Sequence, residues 1–253
     1  MPIRTQFGRA AQAYDTYRPG YPQSIYDKIF SALTGPRHTA LDLGSGTGKF
    51  AHGLLDHFTT VIGLEPDAQM AARLRENEPR VLVRTETAES AHFSAASIDL
   101  VTTAHALHWM EPAIVLARVT EWLRPAGIFA VCGGDFPKTV GPIHDVIRGE
   151  FEARWNHFRD ERVLKQFPED ILRSEPRMAV LELTDMPNIQ HLSVADFTGY
   201  CRSTSYGIAY ARSLEEPEQY FRDLESRFRA AQPDDKVQLD FTRWLMLLKK
   251  VES

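Results

Sequence analysis

The segment Leu41-Asp42-Leu43-Gly44-Ser45-Gly46-Thr47-Gly48 constrains this 253-residue chain more than any other. A short apolar run enters three glycines at alternate positions, the pattern of a buried strand that turns at once into a tight loop. Without a Cβ, glycine reaches positive φ at little cost and lets a ligand lie against bare backbone. A helix predicted over Lys49 to Phe58 would add free N–H groups and a partial positive charge at its start. The competing reading is a tight turn that holds nothing, but three alternating glycines are more than a turn requires.

The rest of the first half repeats this theme of strand followed by helix. The spacing predicts helix from Phe7 to Leu33, broken at Arg18-Pro19-Gly20-Tyr21-Pro22, because proline disfavours helix at the residue before it and in helix interiors. Strands are predicted at Ala40–Leu43, Thr60–Leu64, Val81–Arg84, Ile98–Thr103 and Gly127–Cys132. Helices are predicted from Pro66 to about Asn77, with Pro66 in the first turn, and from Pro112 to Leu123. Alternation of this kind implies a mostly parallel sheet with helices on both faces, an α/β fold of Rossmann-like type. After Gly133-Gly134 the alternation stops, and aromatic residues such as Phe151, Trp155 and Phe158 recur at helical spacing as in a partly helical cap. Val237 to Leu248 reads as one strand returning to the sheet. The expected organisation is one domain over 1–253. It divides into an N-terminal helical lid over 1–34, a ligand-binding core over 35–134, a cap and substrate region over 135–205, and a C-terminal helix with the final strands over 206–253.

A dinucleotide site has the spacing G-x-G-x-x-G, but Lys49 occupies the place of its third glycine. A nicotinamide cofactor is thereby disfavoured. Glu65, at the end of the second strand and about twenty residues beyond Gly44, stands where a carboxylate accepts hydrogen bonds from the two hydroxyls of a ribose. Net charge argues against a nucleic-acid partner. With 29 basic and 34 acidic residues the chain carries −5, and phosphate recognition draws on clustered Lys and Arg. The two cysteines, Cys132 and Cys201, form neither a disulfide framework nor a zinc cluster. The first residues lack the apolar run of a secretory leader, and no stretch has the length to span a bilayer, so the expectation is a cytoplasmic protein.

These residues resemble the class I S-adenosylmethionine-dependent methyltransferases, and within them the small-molecule branch that includes trans-aconitate methyltransferase. The resemblance is carried by Phe7, Ala13-Tyr14 and Arg18-Pro19-Gly20-Tyr21-Pro22, then by Leu41 to Gly48, Gly63-Leu64-Glu65-Pro66 and Thr87-Ala88-Glu89. It continues through Ile98-Asp99-Leu100-Val101, Ala106-Leu107-His108-Trp109 and Leu123-Arg124-Pro125-Ala126-Gly127. It implies a seven-stranded sheet with a cap and S-adenosylmethionine as cofactor. By position, Asp42, Gly44, Ser45 and Gly46 would line the methionine end, Glu65 would bind the ribose, and Pro66 and Met70 would flank the base. Ala88 would offer its N–H to the adenine, with Thr87 or Glu89 nearby. Thr87 departs from the aspartate common at its position, and a hydroxyl accepts more weakly than a carboxylate. Arg18 would pair with the cofactor carboxylate, with Tyr14 and Tyr21 as lid residues.

The reactive end is expected at His105-Ala106-Leu107-His108-Trp109, beyond the fourth strand. His105 is the candidate general base lining the site, and His108 the structural partner of Trp109. No third ligand accompanies the two histidines, so no metal is expected. No Asp/Asn-Pro-Pro-aromatic run follows strand four, which removes the usual signature of nucleobase methylation. The expected activity is methyl transfer to an oxygen or nitrogen of a small metabolite. A cofactor-binding module without catalysis is the alternative, since the chemistry has no obligatory nucleophile. The sequence leaves the acceptor and the oligomeric state open.

Overall fold

The computed structural model describes residues 11–161 and 169–251. The predicted helix start at Phe7 lies outside them. Strands β1 (Thr39–Leu43), β2 (Thr60–Leu64), β3 (Leu82–Arg84), β4 (Ile98–Ala104) and β5 (Leu123–Gly133) pair in parallel, in the order β3-β2-β1-β4-β5. The sheet is extended past β5 by two antiparallel strands, Arg243–Lys250 and then Met178–Met186, to make seven. Helices cover both faces, giving two apolar cores. One is built around Ile25, Ile29, Leu54 and Leu245, the other around Leu41, Val101, Trp122 and Phe129. Order reverses beside β1, so β2 and β4 leave it in opposite directions, and a crevice opens at the carboxyl ends of β1 and β4.

Three local expectations change. The predicted helix over Lys49–Phe58 is a single 3-10 turn, Ala51–Leu54, flanked by turns. Tyr26 intrudes there: its ring lies where a side chain on Gly53 would stand, and its hydroxyl donates to the Phe50 carbonyl (3.1 Å). Any ligand of the glycine loop is therefore held by loop backbone, with no α-helix behind it. Pro66 precedes the next helix, Ala68–Asn77, and does not begin it. Asp67 is the N-cap, its carboxylate accepting from the N–H groups of Gln69 (2.9 Å) and Met70 (3.1 Å). The predicted strand over Val237–Leu248 is two. Val237–Asp240 joins a small antiparallel sheet with Lys138–Thr139 and Ile189–Leu192, whereas Arg243–Lys250 returns to the main sheet. Asp240 accepts from the Thr242 N–H (2.8 Å) at the turn between them, and Phe241 drops into a third core.

That third core belongs to the cap. It unites Ile143, Trp155, Phe197, Tyr206, Leu224 and Phe228. Helices Ser205–Arg212 and Pro217–Ala231 thus pack with the cap, which is assembled from the segments on either side of strand Met178–Met186. At its centre the fully buried Glu150 accepts from Tyr220 (2.6 Å) and Arg154 (2.9 Å), and Tyr220 accepts from the Trp155 indole (2.9 Å). A buried carboxylate persists only when it is satisfied in this way. No described helix is long and apolar enough to cross a membrane.

Candidate active site

Every parallel strand delivers its successor residue to one edge: Gly44, Glu65, His105 and Gly134 directly, and Thr87-Ala88-Glu89 shortly after β3. These line a cavity of about 1200 Å³ between that edge and the cap. Gly44, Gly46 and Gly48 all hold positive φ (68°, 57° and 96°). At Gly44 a Cβ would stand 2.5 Å from that of Ala106, so the loop rests directly on the segment after β4. A Cβ added at Gly46 would meet, among the described residues, only the Met70 methyl at 3.7 Å, which leaves bare backbone facing the cavity.

Glu65 secures the loop from below. One carboxylate oxygen accepts from the Gly46 N–H (2.8 Å) and the other from the Asp67 N–H (2.9 Å). Each oxygen keeps a second lone pair for a donor from the cavity. Burial pushes the Glu65 carboxyl up to about 7, with the two backbone donors opposing. Asp42 and Ser45 stand behind the loop and do not border the cavity. The Ser45 hydroxyl donates to the Asp42 carbonyl (2.9 Å) and Thr102 donates to Asp42 Oδ1 (2.7 Å). Asp42 Oδ2 is buried without a partner, and desolvation raises this carboxyl to about 6.

The remaining expected residues divide. Tyr14, Pro66, Met70, Ala88 and Glu89 line the cavity, and Glu89 also accepts from the Glu111 N–H (3.0 Å). Thr87 lines it too, but its hydroxyl is engaged in a local turn, donating to the Ser90 hydroxyl (3.1 Å) and accepting from the Ser90 N–H (3.2 Å). Arg18 lies over the Tyr14 ring (4.4 Å) and reaches the cap, its Nε donating to the Ser203 hydroxyl (3.2 Å) and Nη2 to the Ser203 carbonyl (3.1 Å).

His105 sits at φ 53°, its N–H donating to the Cys132 carbonyl (2.8 Å). Its Nε2 is buried and unpartnered. Burial, reinforced by the positive charges of Arg243 and Arg18, drives its pKa well below the usual histidine value, so the ring is neutral. His108 packs against Trp109 (ring centroids 4.7 Å apart). Among the described residues no His, Cys, Asp and Glu group is arranged to hold a metal.

Sequence pattern assigns no role to Tyr200, Tyr206, Arg243 or Trp244, yet all four line the cavity. Arg243 and Trp244 reach it because their strand is antiparallel, so its start lies at the edge where β5 ends, with Trp244 opposite Gly133. A Cβ on Gly133 would fall 2.2 Å from the Trp244 ring, and one on Gly134 3.2 Å from Arg243 Nη1. The Gly133-Gly134 pair and a lone arginine heading an apolar strand are the signals that pointed there.

With this geometry in place, the chain can be compared with known proteins. Residues 41–131 match the family model of the methyltransferase domain. Over that segment, which is just over a third of its length, the chain is similar to this family. An uncharacterized methyltransferase of Mycobacterium tuberculosis is 36% identical over 148 residues, 58% of this chain and 59% of that protein. The malonyl-[acyl-carrier protein] O-methyltransferase of Alcanivorax borkumensis is 30% identical over 133 residues, 49% of this chain and 45% of its own. The chain thus spans about three fifths or less of the length of these relatives. A solved structure from Anaeromyxobacter dehalogenans described as a type II methyltransferase superposes with TM-score 0.71 at 24% identity, covering 93% of this chain and 98% of that one. The likeness to that structure is one of fold and extends through the cap. The open backbone at Gly46 and the doubly anchored Glu65 are groups that the nucleoside and amino-acid parts of S-adenosylmethionine could meet.

Proposed function

We propose that this chain transfers a methyl group from S-adenosylmethionine to an oxygen or nitrogen of a small-molecule metabolite, releasing S-adenosylhomocysteine. The observation that carries the proposal is the single cavity joining the glycine loop and Glu65 to the chamber of His105, Tyr200, Tyr206 and Arg243. Its volume of about 1200 Å³ exceeds the usual range for one small ligand, roughly 300–1000 Å³, leaving space for a cofactor and a modest acceptor together. The Alcanivorax relative, by its name an O-methyltransferase, supports an oxygen acceptor, and the sequence resemblance to the trans-aconitate branch supports a small one. The net charge of −5 speaks against nucleic acid.

When bound, S-adenosylmethionine supplies a methyl group on a sulfonium centre, a good leaving group by virtue of its charge. The protein's part is placement. Gly44 and Gly46 receive the amino-acid end on backbone, Glu65 accepts from the ribose hydroxyls, and Pro66, Met70 and Ala88 enclose the base. The cap aromatics exclude water from the acceptor, and proximity together with desolvation provides the acceleration. His105, neutral and with a free Nε2, accepts a hydrogen bond from the acceptor. As a proton acceptor it is weak, because an efficient base has a pKa near the working pH.

Isothermal titration with S-adenosylhomocysteine on wild type and Glu65→Ala tests the cofactor. Binding that weakens sharply in the variant is expected, and folded wild type that does not bind overturns the reading. Turnover against a metabolite panel separates an enzyme from a binding module.

A further inference from the structure

The chamber contains a charge that has no ion-pair partner among the described residues. Arg243 is 9% exposed, lines the cavity and has a buried Nη1 with no hydrogen-bond partner. No described carboxylate forms an ion pair with it. The nearest candidate on its own chain segment, Asp240, is turned to the Thr242 backbone, and Asp135 at the cavity wall is exposed. Its guanidinium carbon stands 5.2 Å from the Phe241 ring centre, and its side chain lies against Gly134. Asp240 feels its charge without pairing with it, and the other groups that do so are Tyr21, Tyr200, His105 and Cys132, all neutral near pH 7. Arg18 adds a second positive charge on the same chamber but directs Nε and Nη2 to Ser203. Burying a guanidinium with an open N–H is costly, and a planar fork of donors matches an oxyanion.

We infer that Arg243 is the acceptor-binding residue of this chain and that the acceptor carries an oxyanion, a carboxylate or a phosphate, held by its guanidinium. This rests on the methyltransferase reading and narrows its substrate class. The antiparallel return of the last strand is what brings the charge to the reactive edge, and Gly133-Gly134 leave the space in which Arg243 and Trp244 lie.

The test uses the full chain saturated with S-adenosylhomocysteine. Tryptophan fluorescence, with Trp244 adjacent, follows titration with succinate, inorganic phosphate and the uncharged succinamide at constant ionic strength. Succinate or phosphate is expected to bind while succinamide does not, and whichever anion binds identifies the source of the oxyanion. In R243Q anion affinity falls at least tenfold, and S-adenosylhomocysteine affinity stays within about twofold. R243K, which keeps the charge but not the fork, weakens the anion less than R243Q does and serves alone where R243Q fails to fold. Three results overturn the inference: no anion binding to wild type, equal binding by succinamide, or R243K and R243Q that both match wild type. Each leaves cofactor binding by wild type intact and so is distinct from failure of the methyltransferase reading.

Discussion

The two ends of the cavity are built in opposite ways. At the proposed cofactor end the wall is mostly backbone: the glycine loop at positive φ, with one carboxylate, Glu65, clamped by the N–H groups of Gly46 and Asp67. All lie within a short stretch of chain and at strand ends. At the proposed acceptor end the wall is made of side chains, and their elements are distant in sequence: Arg18 before the sheet, His105 after β4, Tyr200 and Tyr206 from the cap, Arg243 from the last strand. Backbone geometry tolerates little substitution and so leaves a readable motif. A chamber of side chains from scattered elements can be rebuilt for a new acceptor while the cofactor end stands unchanged.

That contrast is open to direct attack. The largest effect is expected in the cap core. Phe197→Ala removes a fully buried ring and costs about 3–5 kcal/mol, read as a lowered midpoint in urea. If the ends are separable, the folded fraction still binds S-adenosylhomocysteine within about threefold of wild type; a larger loss would show the ends to be one unit. Gly44→Ala attacks the other side. A methyl at φ 68° and 2.5 Å from the Ala106 Cβ combines a left-handed backbone cost of about 1–2 kcal/mol with overpacking of about 1–3 kcal/mol. Cofactor affinity measured by calorimetry should fall roughly a hundredfold.

Glu65 offers a smaller and pH-dependent effect. Its carboxyl rises from 4.5 to about 7 in the folded protein, so between those values the native state holds more protons than the unfolded chain. Stability is therefore present in full below about pH 4.5 and is lost as pH rises through 7. Measured by urea unfolding against Glu65→Gln, so that the opposite contribution of buried His105 cancels, unliganded wild type should lose about 3 kcal/mol across that window. Hydroxyl donors favour the ionised carboxylate, so S-adenosylhomocysteine binding near pH 6 should release a proton, detectable as a buffer-dependent heat and absent in the glutamine variant. The smallest effect is expected at Thr87. With its hydroxyl engaged by Ser90, Thr87→Ala should change cofactor affinity less than about twofold; a tenfold loss would return Thr87 to the adenine site.

Local pattern was sufficient for much of this molecule. Leu41 to Gly48 announced the loop, Glu65 its acid, and the alternating apolar runs the parallel strands, because positive φ, strand burial and chain reversal each leave a mark within a few residues. The same local logic misplaced the helix after Gly48, where Tyr26, more than twenty residues earlier, takes the Phe50 carbonyl. It also joined two strands that Asp240 and Thr242 divide.

By itself, the sequence determined the alternating strand–helix repeat and the glycine loop with Glu65 at the end of the second strand, since both depend on backbone conformation encoded nearby. Only the tertiary structure decided that Asp42 and Ser45 stand behind the loop, that Arg18 is tied to the cap, and that the last strand enters antiparallel with Arg243 at the reactive edge. Those outcomes are set by pairing and packing between segments up to about two hundred residues apart, and no short pattern records which distant partner completes a buried charge.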